Sequence, residues 1–224
     1  MTTERRVLNF HGIGTPRRAL EPGEADYWIS ADRFRDVLDR IASHPEHERL
    51  SITFDDGNIS DLDIAIPELQ RRGLHAEFFM LTGRIGEPGS LDADDIRALV
   101  RAGMGIGSHG IAHRDWASLP ARELDDELEA SKAMLESICG GPVRSAAIPF
   151  GRYNAAVLTA LRAAGYAAAY TSDGGWMDTT AFVRPRTSIR CDMNDRTIDR
   201  ILAGRLRPLR RLRRTIGMSV KRWV

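Results

Sequence analysis

Short apolar runs of strand length alternate with helix-length amphipathic patterns along nearly the whole chain, and this alternation narrows the fold more than any other feature. The runs lie at residues 6–10, 50–54, 76–81, 104–107, 145–148 and 167–170. Helical spacing begins after Ser30, whose hydroxyl is placed to cap a helix carrying Phe34, Val37, Leu38 and Ile41 on one face. Further helices are expected over 62–72, where Pro67 should introduce a kink, then over 92–102, 120–139 and 154–164, each closed by glycine. Residues 182–189 should add a strand, and 197–202 a last helix. Apolar strands separated by helices belong to a parallel sheet with right-handed crossovers. Six or seven such units point to an α/β (β/α) barrel, closed or incompletely closed.

A chain of 224 residues, 42% hydrophobic and 28% charged, suits one globular domain with a substantial core. Its net charge of +1 hides an asymmetry. Residues 205–224 carry eight basic side chains and no acid, which leaves 24 basic against 31 acidic in residues 1–204. We therefore expect a catalytic domain over 1–204 and a basic C-terminal tail over 205–224. In that tail the arginines alternate with Leu209, Leu212, Ile216 and Trp223, a pattern suited to peripheral contact with an anionic membrane, although Pro208 opposes a helix at its start. Cys139 and Cys191 stand far apart without CxxC spacing and are expected to be buried free thiols. No stretch approaches the ~18 apolar residues of a membrane span, and the first residues lack an apolar leader, so a cytoplasmic location is expected.

Chemistry-bearing residues gather just past the strands. Asp55-Asp56 ends the second, His109-Gly-Ile-Ala-His113 follows the fourth, His11 the first, and Pro149-Phe150-Gly151 the fifth. The carboxyl ends of barrel strands share one face, so these groups are expected to converge. Taken singly, Asp-Gly is ordinary turn chemistry and each histidine could be a surface residue. Together, two imidazoles four residues apart can grip one metal ion, with one carboxylate as third ligand and the other as general base. Three protein ligands with positions left open suit a catalytic metal in a hydrolase. His44, His47 and His75 have no partners at useful spacing.

These motifs, in this order, resemble those of the polysaccharide deacetylases of the NodB-homology group, a carbohydrate esterase family. Thr53-Phe54-Asp55-Asp56 is similar to the family's TFDD motif, His109 to His113 to its HxxxH motif, and Ala147-Ile-Pro149-Phe150-Gly151 to its RxPYG segment. Residues 7–11 and 28–34 resemble the branch acting on poly-N-acetylglucosamine, whose catalytic histidine comes from the N-terminal strand. The likeness runs over roughly residues 7–200. It implies a distorted (β/α) barrel of about seven units, with Asp55 as base, His11 as acid, and Asp56, His109 and His113 as ligands of one divalent ion. Zinc is the first choice for such a ligand set, with cobalt, nickel or iron(II) as alternatives. The Phe150 backbone N–H would then hold the oxyanion.

The chain departs from the family pattern at Ala147, where an arginine usually orients the base; Arg186 is the candidate replacement. Trp176 is a candidate aromatic lining the substrate groove. The implied activity is N-deacetylation of amino sugars in a glycan or glycan precursor. The alternatives are deacetylation or deformylation of a lipid-linked or nucleotide-linked sugar, and, in another class, non-catalytic glycan binding on the same scaffold. A carbohydrate is the expected partner. The acidic body and the lack of a recognition motif argue against nucleic acid.

Overall fold

In a computed structural model, residues 3–205 are described. Strand β1 (Glu4–Phe10) leads through two short paired segments, β2 (Gly12–Ile13) and β3 (Trp28–Ile29), to helix α1 (Ala31–Ala42). Next come β4 (Leu50–Asp56), α2 (Ile66–Arg71), β5 (Ala76–Met80), α3 (Ala93–Arg101), β6 (Gly105–Ser108) and α4 (Ala121–Cys139). The chain continues with β7 (Ser145–Ala147), α5 (Ala155–Ala163), β8 (Ala168–Thr171), β9 (Trp176–Asp178), β10 (Val183–Pro185), β11 (Thr187–Ser188) and α6 (Asp195–Leu202).

The main sheet runs β10-β8-β7-β6-β5-β4-β1-β11, and every neighbouring pair is parallel. β10 and β11 are one extended segment divided only by Arg186. Its first half pairs with β8 and its second half with β1, so a single segment joins both ends of the sheet. The result is a distorted, nearly closed (β/α) barrel. Its seven staves are β1, β4, β5, β6, β7, β8 and the segment spanning β10 and β11.

Two apolar layers hold the barrel. Outside the sheet and under the helices, Phe54 stacks on Phe78 at 4.6 Å and on Phe10 at 5.4 Å, and the edge of Phe34 closes the group. A fully buried phenylalanine contributes about 1.5–3 kcal/mol. Inside, Val7, Phe79, Ala147, Ala168, Tyr170 and Met177 form a separate cluster. Gly107 belongs to this inner layer, because a Cβ there would stand 2.4 Å from the Phe79 ring.

Ser30 caps α1 by accepting from the Arg33 N–H, and Phe34, Val37, Leu38 and Ile41 are its buried residues. Asp92 and Asp95 cap α3 reciprocally. The helix expected over 62–72 is instead a π-helical turn, Asp61–Ala65, followed by α2 with Pro67 in its first turn. Proline lacks an N–H, and first-turn N–H groups have no intrahelical acceptor, so this position spares α2 a mid-helix break. The strand expected over 182–189 is divided at Arg186, and β9, antiparallel on β1, was not expected at all.

Cys139 is half-buried, but Cys191 is exposed rather than buried, because it follows β11 onto the surface. Among the described residues no helix is long and apolar enough to cross a membrane. The expected basic tail lies, from residue 206 onward, outside the described residues.

Candidate active site and metal centre

The parallel staves bring the expected residues to one rim. His11 follows β1, Asp55 and Asp56 end β4, His109 follows β6, and Pro149-Phe150-Gly151 follows β7. His11, Asp55, Asp56, His109, His113 and Phe150 line one cleft of about 800 Å³. Pro149 and Gly151 are buried in the turn that carries Phe150.

Asp56, His109 and His113 form the metal-suited group, with potential ligand atoms all within 4.8 Å of one another. The His109 Nδ1 lies 2.8 Å from the Ala147 carbonyl oxygen, which can only accept, so Nδ1 carries the proton and Nε2 is left as a lone-pair donor. That Nε2 stands 3.7 Å from Asp56 Oδ1. His113 repeats the arrangement, with Nδ1 2.7 Å from Glu21 Oε2 and Nε2 4.0 Å from Asp56 Oδ1. Asp56 Oδ1 is buried and makes no hydrogen bond. A buried carboxylate oxygen facing two imidazole nitrogens is costly unless a cation lies among them, so this donor set fits a divalent ion. Burial pushes the His109 imidazole down to about 4, against the opposing pull of Asp55, which keeps it in the neutral, ligating form.

The backbone is bent to the same end. Among the described residues, three that are not glycine have positive φ: Asp56 at 80°, His113 at 52° and Phe150 at 58°. Each left-handed residue of this kind costs about 1–2 kcal/mol, and such strain collects at functional sites. The loop from His109 to His113 is held by Glu127 of α4, whose carboxylate accepts from the N–H groups of Ile111 and Ala112. Ser108 caps the same turn by accepting from the Gly110 N–H at 3.0 Å.

Beside the metal-suited group, Asp55 receives Arg186 Nη1 and Nη2 at 2.7 and 2.8 Å, and Asn9 Nδ2 at 2.9 Å. Burial works to raise the Asp55 carboxyl, but the Arg186 guanidinium beside it outweighs burial and holds the group ionised, well below the usual carboxylate range. His11 Nε2 stands 3.9 Å from Asp55 Oδ2, and its ring packs on Tyr27 at 4.9 Å. Arg186, the candidate replacement for an arginine at position 147, thus meets the Asp55 carboxylate, while the Ala147 carbonyl meets His109.

Trp176 is not brought to this rim. It pairs with Arg6 near the start of β1, and the guanidinium groups of Arg6 and Arg49 each lie 4.5 Å from the ring centre. Asn9, Glu21 and Glu127 are the supporting residues that sequence reasoning missed. Asn9 left one sign, a polar residue inside an apolar strand. Glu21 and Glu127 left none, because each reaches the site from a distant loop or helix.

The sequence profile of the family described as polysaccharide deacetylase matches residues 42–169. Over 158 residues the chain is 27% identical to the protein named "Putative polysaccharide deacetylase YxkH" of Bacillus subtilis (strain 168). That alignment takes in 70% of this chain and 53% of YxkH, so the chain spans about half the length of this relative. Among solved structures, the Streptococcus pyogenes deacetylase PplD, in complex with acetate, superposes with a TM-score of 0.76 at 21% identity, covering 90% of this chain and 99% of PplD. IcaB from Ammonifex degensii gives 0.72 at 21% identity, covering 89% and 95%. At these identities the structures share the fold with this chain. The profile, matching more than half of the sequence, supplies the classification: the chain belongs to the polysaccharide deacetylase family.

Proposed function

We propose that the chain is a metal-dependent hydrolase that removes N-acyl groups, foremost N-acetyl, from amino sugars of a glycan or glycan precursor. The observation that carries this reading is the meeting, in one cleft, of an ionised carboxylate, a histidine and a separate Asp-His-His group with an unpaired buried oxygen. Asp56, His109 and His113 would hold the ion, with zinc the first candidate for two imidazoles and a carboxylate. Bound there, a divalent cation supplies Lewis acidity toward an acyl carbonyl and toward water.

The chain's own residues divide the proton work. Asp55, kept anionic and fixed by Arg186 and Asn9, accepts a proton from the water that adds to the acyl carbon. The Phe150 backbone N–H, set by its left-handed turn beside His113, donates to the oxyanion. His11 gives a proton to the nitrogen as the C–N bond breaks, so that a neutral amine departs and a carboxylate remains. Retention of Asp55, Asp56, His109, His113 and His11 together speaks against a binding protein that has lost its chemistry.

The test is His109→Ala. The variant is expected to lose bound metal by elemental analysis and all N-deacetylation of N-acetylated glucosamine oligomers by mass spectrometry, with an unchanged circular dichroism spectrum. Full metal content in a folded variant would overturn the proposal.

A further inference from the structure

The cleft does not end at the metal-suited group. It continues past Thr187 and Ser188 of β11 to α6, where Arg190, Thr197, Arg200 and Arg205 line its far end. Apart from Asp55 and Asp56, the carboxylates lining this cleft are already engaged. Glu21 meets His113 and Arg84, Glu24 meets Arg18, Asp26 meets Arg190, and Asp173 accepts from Tyr153 and Thr171. Arg200 and Arg205, by contrast, face no carboxylate among the described residues. The polar charge left over at this end is therefore positive.

We infer that the α6 end of the cleft is an anion subsite that takes a phosphate ester borne by the amino-sugar substrate, with Arg200 and Arg205 as its counter-charges. The inference rests on the deacetylase reading for what sits at the other end. A phosphate ester offers several acceptor oxygens and up to two charges, which suits paired guanidinium forks better than a neutral glycan does. The cleft, of about 800 Å³, is lined both by the Asp-His-His group and by Arg200 and Arg205, and its size is ordinary for a small-molecule site. The substrate class is then an N-acylated sugar phosphate or diphosphate, from either a soluble nucleotide sugar or a lipid-linked sugar.

The experiment is calorimetric titration of the full chain with glucose 1-phosphate and with glucose, neither of which carries an acyl group to be hydrolysed. Glucose 1-phosphate should bind about tenfold tighter or better, as charge-assisted hydrogen bonds allow. That advantage should vanish in Arg200→Ala/Arg205→Ala. Equal affinity for the two sugars, or an undiminished advantage in a folded double variant, overturns the inference. UDP-glucose and a polyprenyl-diphosphate glucose in detergent micelles then separate the two sources; tighter binding of either than of glucose supports the subsite, and tighter binding of neither overturns it. If no amino sugar is deacetylated but arginine-dependent binding persists, the proposed activity fails and the phosphate subsite stands.

Discussion

Arg186 and Asp55, 131 residues apart, meet through two hydrogen bonds of 2.7 and 2.8 Å inside the barrel. The contact ties the segment that closes the barrel to the residue we propose as general base. The Arg186 guanidinium also lies 5.1 Å from the Phe79 ring centre and 5.6 Å from that of Tyr170, so its charge is packed as well as paired. Arg186→Ala leaves a buried carboxylate unpaired and should cost about 3–5 kcal/mol. Arg186→Lys should rescue little, since an ammonium cannot reproduce the fork. In a double-mutant cycle with Asp55→Asn, read by urea unfolding, the coupling should exceed about 1 kcal/mol. Additive effects would remove the claim that the two residues act as a unit.

Glu21 reaches His113 from a loop and also pairs with Arg84. Its carboxylate fixes the proton on His113 Nδ1 and so turns Nε2 toward Asp56. Glu21→Gln should therefore weaken divalent-ion affinity by about 10–100-fold while leaving the thermal transition of the metal-free chain within a few degrees. Chelator competition measures the first quantity and calorimetry the second.

Phe150 adopts φ 58° and is 52% exposed, so its backbone is strained while the residue is only partly buried. The usual order of substitution should invert there. Phe150→Gly should be more stable than Phe150→Ala by about 1 kcal/mol, because only glycine accepts the left-handed conformation without a Cβ penalty. Equal stability of the two variants in denaturant titrations would mean the turn carries no strain.

The barrel was legible in the sequence because parallel strands are buried on both faces and read as short, mostly apolar runs. Six staves show this plainly. The seventh does not: its two halves flank a buried charge, Arg186, and serve different neighbours. β9 escaped because three residues pairing antiparallel with an edge of β1 leave no period to detect. Asp55, Asp56, His109 and His113 were visible because polar groups stand out after apolar strands. The left-handed backbone at Asp56, His113 and Phe150 was invisible, since no composition signal marks strain that tertiary contacts impose. Trp176 looked available to a groove, but its ring is taken up by Arg6 and Arg49.

For residues 205–224 we propose contact with an anionic membrane surface, on the sequence argument of eight basic side chains and no acid. Each basic residue near such a surface contributes about 1 kcal/mol, and salt should weaken the attraction. Liposome sedimentation of the full chain against a truncation ending at Gly204 tests it. The full chain should partition onto anionic vesicles at low salt and release at high salt, whereas equal partitioning of both forms would end the membrane proposal.

Glu68 sets a measurable acid limit on stability. It is buried on α2, where its carboxylate accepts from Arg35 at 2.9 Å, Arg72 at 2.6 Å and Arg71 at 2.9 Å. Hydrogen bonds from Arg35 and then Arg72 lower its pKa from an ordinary 4.5 to about 2. The unfolded chain therefore takes up this proton at a higher pH than the folded chain does. The contribution of Glu68 is complete above about pH 4.5 and fades as the pH falls toward 2. Because Arg35 and Arg71 face solvent, screening reduces the effect to about 1 kcal/mol. Glu68→Gln should be less stable than the parent chain by about that amount at pH 7, and the gap should close as pH falls from about 5 to 2. Urea midpoints across that range give the comparison, and a gap that stays constant with pH would show that the carboxylate charge is not what these arginines hold.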